Sequence, residues 1–317
     1  MFVSVGVRFE ANVEALNMVE TAGNYSKHRR VPYIIEEEGK LKTVYVPALS
    51  GESLAHAYQE LLVKEAKEAR IPVCEDCSRA EFFKSMDKQH LGTKVPDIKK
   101  GIKPHEIEHG ILKRCAVEDI GGFLYAENPP VKRTSAFQMC YALPIKSMAL
   151  YATTEPQLHA RHAQLGEGEK GGVSEQMIYY VEAGTALYGF SFNLDLDAIG
   201  RSNITDEILL SMDEVKMRKM ISLKALFRLI SSHQFGAKLS RFFPVGGIVS
   251  TLATVTEHPF SVTSPIYDDY AEKTRKRLEA IKKAFGEPYL YKVTDETTVP
   301  EEVLHEMIEY VKEKEHL

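Results

Sequence analysis

Residues 1–14 read MFVSVGVRFEANVE, and the spacing within Val3-Ser4-Val5-Gly6-Val7-Arg8-Phe9 decides the class of fold. Val3, Val5, Val7 and Phe9 alternate with Ser4, Gly6, Arg8 and Glu10. A period of two puts the apolar side chains on one face of a strand and the polar ones on the other. Such a strand belongs in a sheet with a second layer over its apolar face. Working outward, Asn12 can cap a short helix over Val13 to Val19, which Thr21-Ala22-Gly23-Asn24 would break. The β-branched runs Val31 to Ile35 and Leu41 to Val46 flank Glu36 to Lys40 and predict a hairpin. Pro47-Ala48-Leu49-Ser50-Gly51 then leads into a long helix, with Leu54, Tyr58, Leu61 and Glu65 at helical spacing.

Residues 70–112 differ in character, being rich in Lys, Asp, His and Pro with weak periodicity, and are expected to be a partly helical, peripheral insertion. Val117 to Tyr125 predicts a strand at a glycine-permitted turn. A second irregular stretch covers 126–176, opened by Asn128-Pro129-Pro130 and containing the charged, glycine-rich segment Gly166 to Gly172. Met177 to Asn193 predicts two strands around Ala183-Gly184, with Tyr188, Phe190 and Phe192 on one face. Lys216 to Ser232 predicts a helix striped by Met220, Leu223, Phe227 and Ile230, followed by a strand at Ile248 to Val255 and helices at Arg275 to Phe285 and Glu301 to Lys314. This order describes an α+β sheet domain with two excursions. A ferredoxin-like, RRM-type core fits the order, although periodicity alone does not select it.

The chain has 317 residues, enough for one large domain with insertions or for two, and 44% hydrophobic with 27% charged residues suits an ordinary globular protein. No apolar run reaches the length of a membrane span. The alternating N-terminus is unlike a signal peptide, so a cytoplasmic location without membrane association is expected. A net charge of −5 argues mildly against nucleic-acid binding. What counts, however, is whether positive charge collects on one surface, and here it clusters at Lys27 to Arg30, Lys132-Arg133, Lys216 to Lys219 and Lys238 to Arg241.

Two motifs suggest metal chemistry. His105-Glu106-Ile107-Glu108-His109 matches HExxH, but Gly101, Pro104 and Gly110 around it leave room for about one helical turn. Cys74-Glu75-Asp76-Cys77 is half of a structural zinc site, which Cys115, His90 or His109 would complete. Four cysteines do not make a disulfide scaffold. No GxxxxGK[ST], GxGxxG or GxSxG pattern occurs, and no carboxylate pairing suggests acid–base catalysis. The positive signal lies in four polar, basic loops. Tyr25, Lys27, His28 and Arg29 mix a ring with cations, and Ser50 and Gly51 precede a helix whose free amides would suit a phosphate. Lys132, Arg133 and Thr134 follow a Pro-Pro turn, and Gly236, Lys238, Ser240 and Arg241 precede a strand.

These same segments resemble the DevR-type family of CRISPR backbone subunits, also called CRISPR-associated protein family seven, of the RAMP superfamily. The matching residues run from Arg8-Phe9, Val13 to Asn17, Gly23-Asn24 and Lys27-His28-Arg29 through Val46-Pro47, Ser50-Gly51-Glu52 and Leu54 to Gln59. They continue with Asp119 to Phe123, Pro130 to Ser135, Ala186 to Phe192, Gly236-Ala237-Lys238 and Ser240-Arg241-Phe242, and the archaeal type I-A branch fits best. The resemblance implies a modified RRM-like palm at 1–50, 113–127 and 176–260, a helical insertion with the CxxC at 51–112, a thumb-like loop at 128–175 and a C-terminal helical segment at 261–317. It implies a non-enzymatic subunit assembling in several copies along a guide RNA (crRNA) that pairs with target DNA. Its other partners would be the Cascade subunits that cap the repeat handle, the large and small subunits, and the recruited helicase-nuclease. Asn17 and His159, with His162 as the alternative, fall where polar residues of the family serve RNA, while Lys27, Arg29, Lys132, Arg133, Lys238 and Arg241 fall on its basic loops. No cofactor is required by this reading. A rival is a RAMP-type endoribonuclease that processes CRISPR repeat RNA, for which Pro244-Val245-Gly246-Gly247 is a poor substitute for the long glycine-rich loop of that group. Others are a type III backbone that cuts its target with an acidic loop residue, and an HExxH hydrolase.

Overall fold

The structure is a computed structural model that describes residues 1–92, 101–162 and 176–317. In chain order the strands and helices begin with β1 (Phe2–Glu14), β2 (Met18–Ala22), β3 (Tyr25–His28), β4 (Arg30–Glu37), β5 (Lys40–Pro47) and α1 (Gly51–Glu68). Next come α2 (Glu75–Ser78), α3 (Lys88–Leu91), α4 (Pro104–Arg114) and α5 (Ala116–Gly121). Then come β6 (Phe123–Tyr125), β7 (Val131–Arg133), β8 (Phe137–Met139), β9 (Leu143–Pro144), β10 (Thr153–His162) and β11 (Gln176–Asp195). The chain closes with α6 (Met212–Ser232), β12 (Ile248–Thr256), α7 (Tyr270–Phe285), β13 (Tyr289–Val293) and α8 (Pro300–Glu315).

β1 is central. It pairs antiparallel with β11 from Phe2↔Asp195 to Ala11↔Ala186, and with β12 from Phe2↔Thr256 to Phe9↔Ile248. The large sheet runs β13-β12-β1-β11-β3-β2, with β8, β9 and β10 also held by β11. The period of two in the opening residues is realised as expected. Val3, Val5, Val7 and Phe9 join Tyr188, Phe190 and Phe192 in one buried cluster with Leu54, Tyr58 and Leu62 of α1, Leu226 and Leu229 of α6 and Met307 of α8. The polar face is covered too. Ser4 Oγ donates to Asn193 Oδ1 at 2.6 Å and accepts from the Val262 amide at 3.0 Å. Gly6 lets Pro265 and Tyr270 approach so closely that a Cβ would stand 3.0 Å from the proline ring. Both faces of β1 are therefore covered.

The β4–β5 hairpin forms as predicted, with Glu38 and Gly39 both at positive φ in the two-residue turn. α1 also forms, its N-terminus capped by Ser50 Oγ on the Ser53 amide at 3.2 Å. The predicted helix over Val13 to Val19 is absent. Its residues instead extend β1 to Glu14, bulge at Val13 (φ 58°) and begin β2. A seven-residue helix offers little stability on its own, whereas here Val13 donates its amide to Thr185 Oγ1 at 3.0 Å and β2 pairs with β3. The strand predicted from Val117 begins only at Phe123, because Ala116–Gly121 is helical and carries Asp119 into a buried ion-pair cluster. The expected glycine turn is Gly122, at φ 69°, where a Cβ would meet the Arg133 carbonyl at 2.6 Å.

Two further expectations change. The stretch 126–176 contains short strands, of which β8 and β9 pair with β11 over long sequence separations that local periodicity does not display. Met177 to Asn193 lies within a single strand of 20 residues, and Gly184 marks a close approach to the His28 ring instead of a break. The Gly166 to Gly172 segment lies outside the described residues. β13 went unpredicted, and the helices at 212–232, 270–285 and 300–315 agree with the sequence pattern. The insertion is partly helical as expected, with its own small core of Leu91, Ile107, Ile111, Leu112, Phe123, Tyr125 and Val131. No described helix is long and apolar enough to cross a membrane.

Candidate nucleic-acid interface

β10 and the first part of β11 form an antiparallel ribbon, paired from Thr153↔Thr185 to His162↔Gln176. The elements packed at the root of this arm collect most of the residues singled out from the sequence. β3 runs parallel to β11 through Tyr25↔Tyr180 and Val181↔Ser26, and the Tyr25 and Tyr180 rings lie 5.9 Å apart. Lys27 on β3 is exposed.

Asn17 is the joint of the region. Only 9% exposed, its Oδ1 accepts from Arg29 Nε at 2.9 Å and from the Ser50 amide at 2.8 Å, while its carbonyl accepts the Arg29 amide at 2.7 Å. The Leu16 carbonyl next to it accepts the Ala237 amide at 2.9 Å, which seats the 236–242 segment against this joint. Lys238 takes φ 58° in a tight turn closed by the Arg241 and Phe242 amides on its carbonyl. Arg241 Nη1 donates to the Tyr179 hydroxyl at 2.6 Å, with the guanidinium 5.9 Å from the ring centroid. Tyr179 stacks on His159 at 5.2 Å and 16°, and Phe242 meets His159 edge-on at 5.7 Å. Arg29 is thus tied to Asn17, the neighbouring Leu16 holds the segment that carries Arg241, and Arg241 reaches Tyr179 and His159. A surface of this kind offers cations to phosphates and rings to bases. The His162 side chain lies outside the described residues.

Other candidates fall elsewhere. Arg133, read as a basic-loop residue, is only 2% exposed. It is paired with Glu108 at 3.2 Å and with Asp119, and donates to the Arg201 and Ala198 carbonyls at 2.6 and 2.8 Å. Arg218, fully buried, shares Asp119 at 2.9 Å and pairs with Glu214. Arg133 is consumed inside the fold because three carboxylates converge on the two guanidiniums. Lys132 and Thr134 keep exposed side chains on this β6–β7 ribbon, which is anchored to the insertion instead of to the arm. His28 is buried, donates from Nδ1 to the Arg29 carbonyl at 2.9 Å, and gives its amide to Glu182. Burial holds its pKa below the ordinary histidine value, so it is neutral and turned inward. Ser50 and Gly51 are also corrected as an anion site. Their amides are buried, Asn17 already occupies the Ser50 amide, and a Cβ on Gly51 would stand 2.4 Å from the Met139 carbonyl.

The HExxH segment lies on an 11-residue helix, longer than its flanking residues suggested, but three of its groups are spent on structure. Glu106 accepts the Lys103 amide in the cap, Glu108 pairs with Arg133, and His109 Nε2 meets the Leu209 carbonyl at 3.2 Å. Among the described residues the metal-capable group is instead Cys74, Cys77, Cys115 and Glu118. His90, a candidate to join the CxxC, bonds Asp76 at 3.0 Å and stacks on Phe83 at 4.4 Å.

A family model described as "CRISPR-associated negative auto-regulator DevR/Csa2" matches residues 5–275. The chain belongs to the DevR/Csa2 family. A DevR/Csa2 relative in Saccharolobus solfataricus, "CRISPR-associated aCascade subunit Cas7/Csa2 2", is 36% identical over 288 residues, covering 88% of this chain and 87% of the relative. A second from that organism, "CRISPR-associated protein Cas7/Csa2 1", is 34% identical over 83% of this chain and 81% of its own. "CRISPR-associated protein Cas7/Cst2/DevR" of Methanocaldococcus jannaschii is 27% identical over 89% and 90%. A chain of a solved "CRISPR RNA-guided surveillance complex, pre-nicking" superposes with a TM-score of 0.51 over 98% of this chain and 100% of that one, at 11% identity, a likeness of fold alone. The resemblance read from the DevR-type segments is thus borne out. What that reading missed in this DevR/Csa2 chain is aromatic. Tyr179 and Phe242 frame His159, and their traces in sequence are Phe242 beside Arg241 and the doublet Tyr179-Tyr180, whose two rings must point to opposite faces of one strand.

Proposed function

We propose that this chain is a guide-RNA-binding backbone subunit of a type I-A CRISPR surveillance complex, standing in several copies along one RNA. The convergence of Arg29 on Asn17, of the 236–242 segment on Leu16, and of Arg241 on Tyr179 beside His159 carries the reading, because it brings cations and rings from three distant segments to the root of one arm. In this reading the β1, β11 and β12 sheet with α6 is the modified RRM-like palm, α1 opens the helical insertion, and the β10–β11 ribbon is the thumb. Arg29, Lys27, Lys238 and Arg241 face the sugar–phosphate chain, and the rings beside His159 take a stacked or displaced base.

A guide varies in sequence, so its carrier must hold it without reading base edges. Phosphate, ribose and stacking contacts do this. One subunit then binds at only about 10⁻⁴ to 10⁻⁶ M, by analogy with non-specific DNA binding. Copies on a shared strand convert later contacts into intramolecular ones. A head-to-tail contact that does not close gives a helical array. The chain has no catalytic task here. Target DNA reaches it through the guide, and the remaining Cascade subunits add to the array's ends and sides.

Co-expression with a CRISPR transcript tests this. The protein should co-purify with intact RNA of uniform length and form helical particles by electron microscopy. Purified protein that stays monomeric and RNA-free beside a guide, or that cleaves repeat RNA in a His159-dependent way, would overturn the proposal.

A further inference from the structure

We propose that Cys74, Cys77, Cys115 and Glu118 bind a single zinc ion that staples the insertion to the core. The ligand atoms of these four residues all lie within 4.8 Å of one another, and all four residues are buried. Tetrahedral zinc with Zn–S bonds of about 2.3 Å sets its ligands about 3.8 Å apart. Closing in by about one ångström, through side-chain rotation, would meet that requirement.

The local backbone is arranged for it. Cys74 sits at the N-cap of α2 and Cys77 within it, which brings a CxxC pair to one end of a turn. Cys115 is the junction residue between α4 and α5, and Glu118 lies one turn further along α5. The Ala116 amide donates to the Pro72 carbonyl at 2.9 Å, fastening the two segments on either side of the cluster. Three cysteines alone would pass as small apolar core residues. A fully buried carboxylate among them does not fit that description, since an ionised group out of water needs compensation. Glu118 takes the Ser85 hydroxyl at 2.5 Å on one oxygen and the Cys74 thiol at 3.5 Å on the other. Such a serine contact orients a ligating carboxylate from outside the coordination sphere. Three thiolates and a carboxylate outweigh a divalent ion by two charges. Lys84, the residue before Ser85, is held at the end of α5 by the Gly121 and Gly122 carbonyls at 3.1 Å each, and its charge offsets one of them. Thiolate-rich tetrahedral sites select zinc over harder cations.

The site would fix the insertion onto the helix that carries Asp119, and through it onto the ion pairs of Arg133 and Arg218. It is independent of how the arm binds RNA. The test is elemental mass spectrometry on protein purified under reducing conditions, with cobalt substitution read by absorption. About one zinc per chain is expected, along with a thiolate-to-cobalt charge-transfer band in the near ultraviolet. Cys140→Ser, altering the exposed thiol, should keep both, whereas Cys77→Ser and Cys115→Ser should lose the zinc and the band. Should those variants fail to fold, the wild-type stoichiometry and cobalt spectrum still decide. No zinc after supplementation, no charge-transfer band, or a Cys74–Cys77 disulfide in the native protein would each overturn the proposal.

Discussion

Two groups of arginines in this chain meet opposite fates. Arg133 and Arg218 lie in the interior, locked to Asp119, Glu108 and Glu214. Arg29 and Arg241 stand at the root of the arm, where a neutral amide oxygen and a tyrosine hydroxyl hold them. The difference lies in the partner. A carboxylate neutralises a guanidinium and fixes it for stability, while a neutral acceptor orients it and leaves its charge for a polyanion. Basic clusters in the sequence therefore do not name a nucleic-acid surface until their acids are located.

Mutations that separate stability from binding should sharpen this contrast. The largest effect on stability is expected from Asp119→Ala, which strips both interior arginines of a shared carboxylate and should destabilise the fold by about 3–5 kcal/mol. Chemical denaturation reads this directly, and a midpoint close to wild type would break the comparison. Asn17→Ala comes next. It leaves the Ser50 amide and Arg29 without their acceptor, at about 1–3 kcal/mol, and should weaken RNA binding as well because Arg29 loses its hold.

A pH effect follows in size. His28 is buried with its folded pKa below the ordinary value of 6.5. The unfolded chain takes up a proton as pH falls through 6.5 and the folded protein resists it, so stability is full above about pH 6.5 and declines below, by at most about 1.4 kcal/mol per pH unit. Denaturation midpoints at pH 7.5 and 5.5 should show the decline, and His28→Gln should flatten it. The smallest change in stability is expected for Arg241→Ala, within about 0.5 kcal/mol, although the same variant should clearly lose affinity for RNA. Equal losses in both measurements would place Arg241 with the interior group.

How much of this was legible in the sequence follows from the range of the interactions. Val3 to Phe9, the β4–β5 hairpin and the helices at the chain's end carry local patterns, and they form as read. The segment Val13 to Val19 looked helical because nothing local reveals that Thr185 and Val245 wait as partners for its backbone and for Glu14. β7, β8 and β9 are two or three residues long, too short for any period to register. Of the residues singled out from the sequence, Asn17, Arg29, His159 and Arg241 are brought into one region. Arg133 was misplaced because Glu108 and Asp119 are 25 and 14 residues away in sequence. Likewise, Glu118 was overlooked beside the cysteines because one carboxylate among many carries no spacing signal.

The central claim is that the cations at the arm's root grip RNA by its backbone. The direct measurement is the salt dependence of affinity for several unrelated single-stranded RNAs, comparing the native protein with a Lys238→Ala, Arg241→Ala double variant of unchanged stability. Each phosphate contact on a single strand contributes about 0.7 to the slope of log K against log salt. The account predicts a parallel loss of affinity for every sequence and a slope shallower by about 1.4. An unchanged slope, or a loss confined to particular sequences, would contradict it.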